Sequence, residues 1–304
     1  MSQHTKTLIV VAGPTASGKT ATGIQLAKHF HTVVVSADSR QFYRKMSVGT
    51  AKPDAAELAV VQHYFVDNLS ITEKYTAGDY EKECLALLDG LFERHGHVVM
   101  VGGSGLFIRA VCQGFDEFPD IKAGIRERLN REFQEKGLVY LQEQLQQVDP
   151  VYFGQVDLSN GQRLIRALEV FESTGQAYSS FRVAETIQRP FNIVKLGLSL
   201  PREVLYGRIN RRVDEMVKQG LVAEVESLLP YRHLNALATV GYTELFDYLD
   251  GKTDLETAIA LIKQNTRRFA KRQLTWFNRD KEIRWFNAVG TDLIEKMVGE
   301  IDLG

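Results

Sequence analysis

Cysteine is scarce in this chain, with two residues, Cys84 and Cys112, among 304. Neither stands in a C-x-x-C pair and no Cys/His cluster surrounds them. That excludes a zinc-ribbon or disulfide-framework reading and leaves two packing residues in a reducing compartment. Apolar stretches of the roughly 18 residues needed to span a bilayer are also missing. No cleavage-like site follows the opening MSQHTKTLIVV, so neither a membrane anchor nor a secretory signal is expected. A cytoplasmic protein is the consequence. Internal repeats and low-complexity tracts are absent too. So is a strong net charge: the total is −1, which by itself argues against a nucleic-acid partner. The charge is unevenly spread, however. Residues 263–284, KQNTRRFAKRQLTWFNRDKEIR, carry eight Lys or Arg against two acids, a local +6, and such a stripe is the electrostatic footprint of nucleic-acid binding whatever the total.

Apolar content of 44% and charged content of 25% are those of a soluble globular protein, and the length suits about two domains. Apolar, β-branched runs recur at TLIVVA (7–12), TVVVSA (32–37), HVVMVG (97–102), NIVKLGLSL (192–200) and EIRWF (282–286). Helical patterns such as AGDYEKECLALLDGLFERHG (77–96) separate them. Alternating strands and helices predict an α/β fold with a parallel sheet covered on both faces. Residues 118–190 hold too much chain for one crossover. IKAGIRERLNREFQEKG, LVYLQEQLQQ and NGQRLIRALEVFESTG each show helical apolar spacing with a turn signal at the end. The expected organisation is a core of 1–117 and 191–304 interrupted by an all-helical insert, 118–190.

GPTASGKT (13–20) fits G-x-x-x-x-G-K-[ST], the phosphate loop of ATP- and GTP-binding proteins. It lies between an apolar strand and a helical stretch, the setting the motif requires. The amides of Gly13, Pro14, Thr15, Ala16, Ser17 and Gly18, less the one proline lacks, can curl around an anion with the helix dipole behind them. Lys19 would reach the outer phosphate oxygens and the Thr20 hydroxyl would sit on Mg²⁺. ATP, GTP and other diphosphates all fit such a loop. Many ATPases place an Asp at the end of a later strand to hold Mg²⁺, but here that strand ends VVMVGGSG. No N-K-x-D guanine signature occurs. The strand that does end in an acid is the second, VVVSADSRQFY (33–43). Ligands bind beyond the carboxyl ends of parallel strands, so Asp38 should face the phosphate loop, to hold metal or take a proton. A solvated turn Asp is the plain alternative.

Eight blocks then match in order across nearly the whole chain. They are GPTASGKT, SADSRQFYRKMSVGTAKP (36–53), HYFVDNLSITEKYTAGDY (63–80), VGGSGLFIRA (101–110), NGQRLIRALEV (160–170), GRINRRVDEM (207–216), VGYTEL (240–245) and NTRRFAKRQLTWF (265–277). In these blocks the chain resembles the tRNA dimethylallyltransferases of bacterial type. D-S-x-x-x-Y followed by G-T-A-K-P is far more specific than the phosphate loop. The resemblance implies a nucleotide-kinase-like P-loop core whose loop holds the diphosphate of dimethylallyl diphosphate, with Mg²⁺ as cofactor. The family transfers the dimethylallyl group to the exocyclic amine of adenosine 37 in tRNA, so the partner is a tRNA anticodon stem-loop, and the chain is expected to be a monomer.

The resemblance also assigns residues. Asp38 becomes the general base, Lys19 and Arg212 the cations on the departing diphosphate, and Ser104 a group near the leaving oxygen. Asp38, Ser39, Arg40 and Gln41 go to the target base and its surroundings. Arg126, Gln162, Arg163, Leu164, Ile165 and Arg166 go to the anticodon arm. Plain structural roles compete with several of these: a solvated helix arginine for Arg212, a helix N-cap for Ser104, and an amphipathic turn with Leu164 and Ile165 partly in the core. His63 reads as structural. In the basic stretch, Phe269, Trp276 and Phe277 are expected to pack inward, while Arg267, Arg268, Lys271 and Arg272 face RNA phosphates. Three other readings stand beside the main one: the same chemistry on free AMP, an ATP-dependent small-molecule kinase, and a non-catalytic RNA-binding protein that keeps the loop.

Overall fold

The computed structural model describes residues 6–116, 118–182 and 187–302. They fall into two compact units, a core of Met1–Gln113 with Gln188–Gly304 and a second unit, Gly114–Ile187, spliced into it. Position 117, one of the expected boundaries, lies outside the described residues.

The core holds six strands: β1 (Thr7–Ala12), β2 (Val34–Ser36), β3 (His63–Tyr64), β4 (His97–Gly102), β5 (Asn192–Ser199) and β6 (Arg284–Asn287). They form one sheet in the order β3-β2-β4-β1-β5-β6, and every adjacent pair is parallel. Five strands are foreseen from sequence. The sixth, β3, has two residues, too few to show a period. In chain order the helices are α1 (Lys19–His29), α2 (Ala55–Val60), α3 (Ala77–Phe92), α4 (Gly105–Gln113), α5 (Ile125–Val148), α6 (Pro150–Phe153) and α7 (Gly161–Thr174). After β5 come α8 (Arg202–Lys218), α9 (Leu221–Ser227), α10 (Tyr242–Leu249), α11 (Leu255–Phe277) and α12 (Leu293–Asp302).

β1 runs through the middle, Thr7 opposite His97 on one side and Asn192 on the other. Its side chains divide by parity. Leu8, Val10 and Ala12 enter one apolar layer with Tyr80, Leu88, Ile108, Leu245 and Ile262. Ile9 and Val11 enter the opposite layer with Ile24, Leu26, Met297 and Ile301. A strand buried on both faces has no polar side to show, which is why TLIVVA reads as an unbroken apolar run. The order β2-β4-β1 also sets three loops side by side at the carboxyl edge: residues 13–18 after β1, Asp38 and its neighbours after β2, and Gly103–Ser104 after β4.

The second unit has its own core of Leu129, Leu141, Leu145, Tyr152, Leu164, Ile165 and Leu168. α5 is interrupted at Gly137, whose φ of 80° and ψ of −175° separate two helical stretches. The side chains of Leu164 and Ile165 are fully buried in this core. Both side chains, expected to meet RNA, thus lie on the apolar stripe of α7, as in the amphipathic-turn alternative.

Candidate active site

The phosphate loop is shaped by close approaches. A Cβ on Gly13 would stand 2.9 Å from the Leu198 carbonyl oxygen of β5, so only glycine lets the chain leave β1 there. Gly18 takes a φ of 98° and opens α1. Lys19 Nζ donates to the Pro14 carbonyl oxygen at 2.6 Å, which folds the side chain back over the loop. Crowding by protein pushes the Lys19 ammonium down to about 8; the Asp38 carboxylate opposes that fall and Arg212 adds to it. Thr20, expected on Mg²⁺, follows at the first turn of α1 and is half-buried. The Ser17 hydroxyl is buried with no protein partner.

Asp38 stands between cations. Its field acts on Lys19, on Arg212 from α8, and on Arg40 two residues along. Burial lowers the basicity of both arginines, and Asp38 partly restores it. The backbone of Arg40 donates to Asp38 Oδ1 at 3.1 Å, a local turn that fixes the carboxylate's direction. Ser104 is tied to the same loop: its Oγ accepts from the Ser39 amide at 3.0 Å and donates to Ser39 Oγ at 3.2 Å. The hydroxyl therefore faces the Asp38 loop. Gln41 donates its amide to the carbonyls of Thr50 and Ala51 at 3.3 and 3.2 Å, pinning the G-T-A-K-P segment under that loop. Glycine where ATPases keep their acid also has a steric cause: a Cβ on Gly102 would collide with the backbone of Ala37. No acidic side chain can occupy that place without moving the Asp38 loop.

Several site residues escape sequence reading. Gln273, in the last turns of α11, is 7% exposed. It accepts from the Thr15 amide at 2.8 Å and donates to the Gly103 carbonyl at 2.9 Å, stitching the phosphate loop to the end of β4. Arg208, one turn before Arg212, approaches the loop, with Nη1 3.8 Å from where a Gly18 Cβ would lie; the i, i+4 spacing is a signal that could have found it. Glu224 of α9 accepts from three successive amides, Ser47, Val48 and Gly49, and from the Tyr242 hydroxyl. It thus joins the S-V-G-T-A-K-P and V-G-Y-T-E-L blocks.

A cavity of about 800 Å³ opens beside these loops. Thr15, Ala16, Asp38, Arg40, Ser104 and Arg212 line it. So do the apolar side chains of Phe107, Val213, Met216, Ile262 and Trp276 and the polar ones of Glu244, Asn265 and Thr266. Of the aromatics expected to turn inward, Phe277 is buried, whereas Phe269 is 40% exposed at the cavity wall. Arg268, Lys271 and Arg272 are exposed, and Arg267 is held by Asn210 at 2.7 Å. Among the described residues no cluster of three or more His, Cys, Asp or Glu could hold a metal ion, and no helix is long and apolar enough to cross a membrane.

In the second unit, Gln162, Arg163 and Arg126 are exposed and Arg166 is half-buried. Arg126 Nε and Arg166 Nη1 both donate to buried Glu169, at 2.8 and 2.7 Å. A single carboxylate, missed in the sequence, fixes two arginine side chains on one surface.

The chain is similar to known proteins over most of its length. The IPP transferase family matches residues 41–280. The tRNA dimethylallyltransferase of Christiangramia forsetii is 51% identical over 92% of this chain and 92% of its own. tRNA dimethylallyltransferase 1 of Bacteroides thetaiotaomicron is 50% identical over 92% and 91%. Among solved structures, the tRNA isopentenylpyrophosphate transferase of Bacillus halodurans superposes with a TM-score of 0.72 at 36% identity, covering 98% of this chain and 97% of that one. A match of that extent, over a P-loop sheet with an inserted helical unit, shows that the chain belongs to the IPP transferase family.

Proposed function

We propose that the protein transfers a dimethylallyl group from dimethylallyl diphosphate to the N6 amine of adenosine 37 in tRNA, releasing diphosphate. One observation carries this reading: Thr15 and Ala16 of the phosphate loop, Asp38 and Arg212 line the same cavity as apolar side chains such as Phe107, Val213 and Ile262. A charged leaving group with a short hydrocarbon asks for that combination. The allylic C–O bond breaks, its electrons leaving with the diphosphate, and a C–N bond forms to the amine. Lys19, Arg212 and the loop amides meet the charge that builds on the leaving oxygens, the term that dominates most such catalysis. Asp38 takes the amine proton. Ser104, bonded to Ser39, holds the Asp38 loop against the start of α4.

Mg²⁺ suits the donor set. Thr20 offers a hard oxygen, and Mg²⁺ sites are completed by substrate phosphates and water rather than by an all-protein cage. The ion would supply further neutralisation of the diphosphate. Arg126, Gln162, Arg163 and Arg166 are exposed enough to meet the anticodon arm, and unpaired RNA loops are read by such side chains. Ser39, Arg40 and Gln41 flank the target base in this reading. The protein works as a monomer in the cytoplasm.

A kinase reading is disfavoured by the steric block at Gly102. Incubation with dimethylallyl diphosphate, Mg²⁺ and an unmodified anticodon stem-loop tests the proposal, with AMP as a parallel acceptor. Digestion and mass spectrometry should find the five-carbon unit on adenosine 37 alone. Transfer to AMP but not to the stem-loop, or phosphate transfer from ATP, would replace it.

A further inference from the structure

A second cavity, about 430 Å³, adjoins the first. Val10 and Ala12 of β1, Ile108 and Cys112 of α4, and Ile283 form its apolar lining, and Arg109, Gln113, Lys195 and residues 279–282 its polar lining. The Lys195 ammonium donates to Asp280 at 2.8 Å and to Glu282 at 2.7 Å, so its charge is already matched. Gly105, Trp276 and Phe277 line both cavities. Phe277 belongs to the main core and is 3% exposed. The Trp276 indole lies against Gly105 so closely that a Cβ there would collide with it. Trp276, laid on Gly105, therefore stands with Phe277 where the two spaces meet.

Position along α11 gives that placement a meaning. Trp276 is three residues beyond Gln273, which is bonded to the phosphate loop at Thr15. Residues three apart share a helix face, one turn or about 5 Å along the axis. The indole therefore stands about one helical turn from the side chain that holds the phosphate loop.

We propose that Trp276 is the specificity-determining residue for donor length. It stops the first cavity after one five-carbon unit, and the second cavity is space that the tail of a longer allylic diphosphate enters once the indole is removed. This rests on the reading of the protein as a dimethylallyl-transferring enzyme. The chemistry is unchanged: the same C–O bond breaks and the same C–N bond forms, with ten carbons transferred instead of five.

The test compares dimethylallyl and geranyl diphosphate as donors to the anticodon stem-loop, in wild type, Trp276→Ala and Trp276→Phe. Trp276→Ala is expected to raise the ratio of geranyl to dimethylallyl kcat/KM about tenfold or more, the scale on which a pocket discriminates even a single methylene. Trp276→Phe, which keeps a ring against Gly105, should stay near the wild-type ratio. Adding Cys112→Phe to Trp276→Ala fills the second cavity and should take the gain away. Should Trp276→Ala not fold, judged by circular dichroism, Trp276→Leu with competitive binding of geranyl diphosphate answers the same question. An unmoved ratio in a folded variant, or a gain that survives Cys112→Phe, overturns the partition. Absence of dimethylallyl transfer by wild type would instead overturn the underlying enzyme reading.

Discussion

Asp38 and Lys19 carry opposite halves of the proposed chemistry, and each has a separable signature. Asp38 is a carboxylate set among three cations, so removing it deprives the amine of its proton acceptor and leaves the diphosphate cradle intact. Asp38→Asn keeps the shape and the acceptor oxygen for the Arg40 amide. A general base is worth ~10²–10⁴ in rate, so single-turnover transfer should fall by about that factor while donor affinity holds or improves. A near-wild-type rate would remove Asp38 from the role. Lys19 sets the pH dependence. Its pKa near 8 in the free site means that the ammonium is fully present below that pH and lost above it. Donor kcat/KM should therefore decline as pH rises through about 8. A bound diphosphate favours the charged form, so the same limb in kcat should move to higher pH. Lys19→Arg should carry the kcat/KM limb upward, because a guanidinium does not titrate in that range. A profile identical to that of wild type would show that another group titrates.

At the scale of elements, the sites differ in how far they could be read from sequence. The phosphate loop and the Asp38 turn are local: each is a few residues at the end of an apolar strand, and the pattern that names them is the one that folds them. Gln273 and Glu224 are the opposite case. Gln273 meets Thr15 across 258 positions of chain, and Glu224 meets the amides of 47–49 across about 176. No period in one segment records a partner that far away, so these joints appear only when the sheet has closed. Burial bears on Leu164 and Ile165 in the same terms: the resemblance assigns them to the anticodon arm, and the apolar stripe of α7 decides where their side chains go. The Gln273 joint yields a prediction of its own. Gln273→Leu leaves a Thr15 amide and a Gly103 carbonyl without partners, each costing roughly 1–3 kcal/mol when buried. Donor kcat/KM should drop about tenfold or more with little change in RNA affinity. Gln273→Glu keeps an acceptor for Thr15 but turns a carboxylate oxygen on the Gly103 carbonyl and adds negative charge beside the diphosphate, so it should raise donor KM further than Gln273→Leu. Equal effects of the two variants would mean that packing, not the amide's two hydrogen bonds, is what matters at this position.

Over the whole molecule, charge of opposite sign is segregated rather than scarce: a total of −1 coexists with +6 across residues 263–284. Segregation lets a chain with no overall attraction for RNA present one face that has it. α11 carries five of the eight cations of that stripe, Lys263, Arg267, Arg268, Lys271 and Arg272, and also supplies Gln273 and Trp276 to the cavity, so the helix that would attract the polyanion is the one that shapes the donor pocket. Arg268 and Lys271 are exposed and stand outside the cavity lining, which makes them the cleanest probes of attraction alone. Each phosphate contact releases counterions, and affinity then falls linearly with salt on logarithmic axes, by close to one unit of slope per contact. Measured from about 50 to 200 mM salt, the double variant Arg268→Ala, Lys271→Ala should lower the slope for stem-loop binding by about two and weaken binding to any RNA sequence alike. Donor KM at fixed salt should hardly move, because neither side chain reaches the phosphate loop. A wild-type slope in the double variant would place the RNA contact elsewhere and leave the basic stripe a solvated helix face.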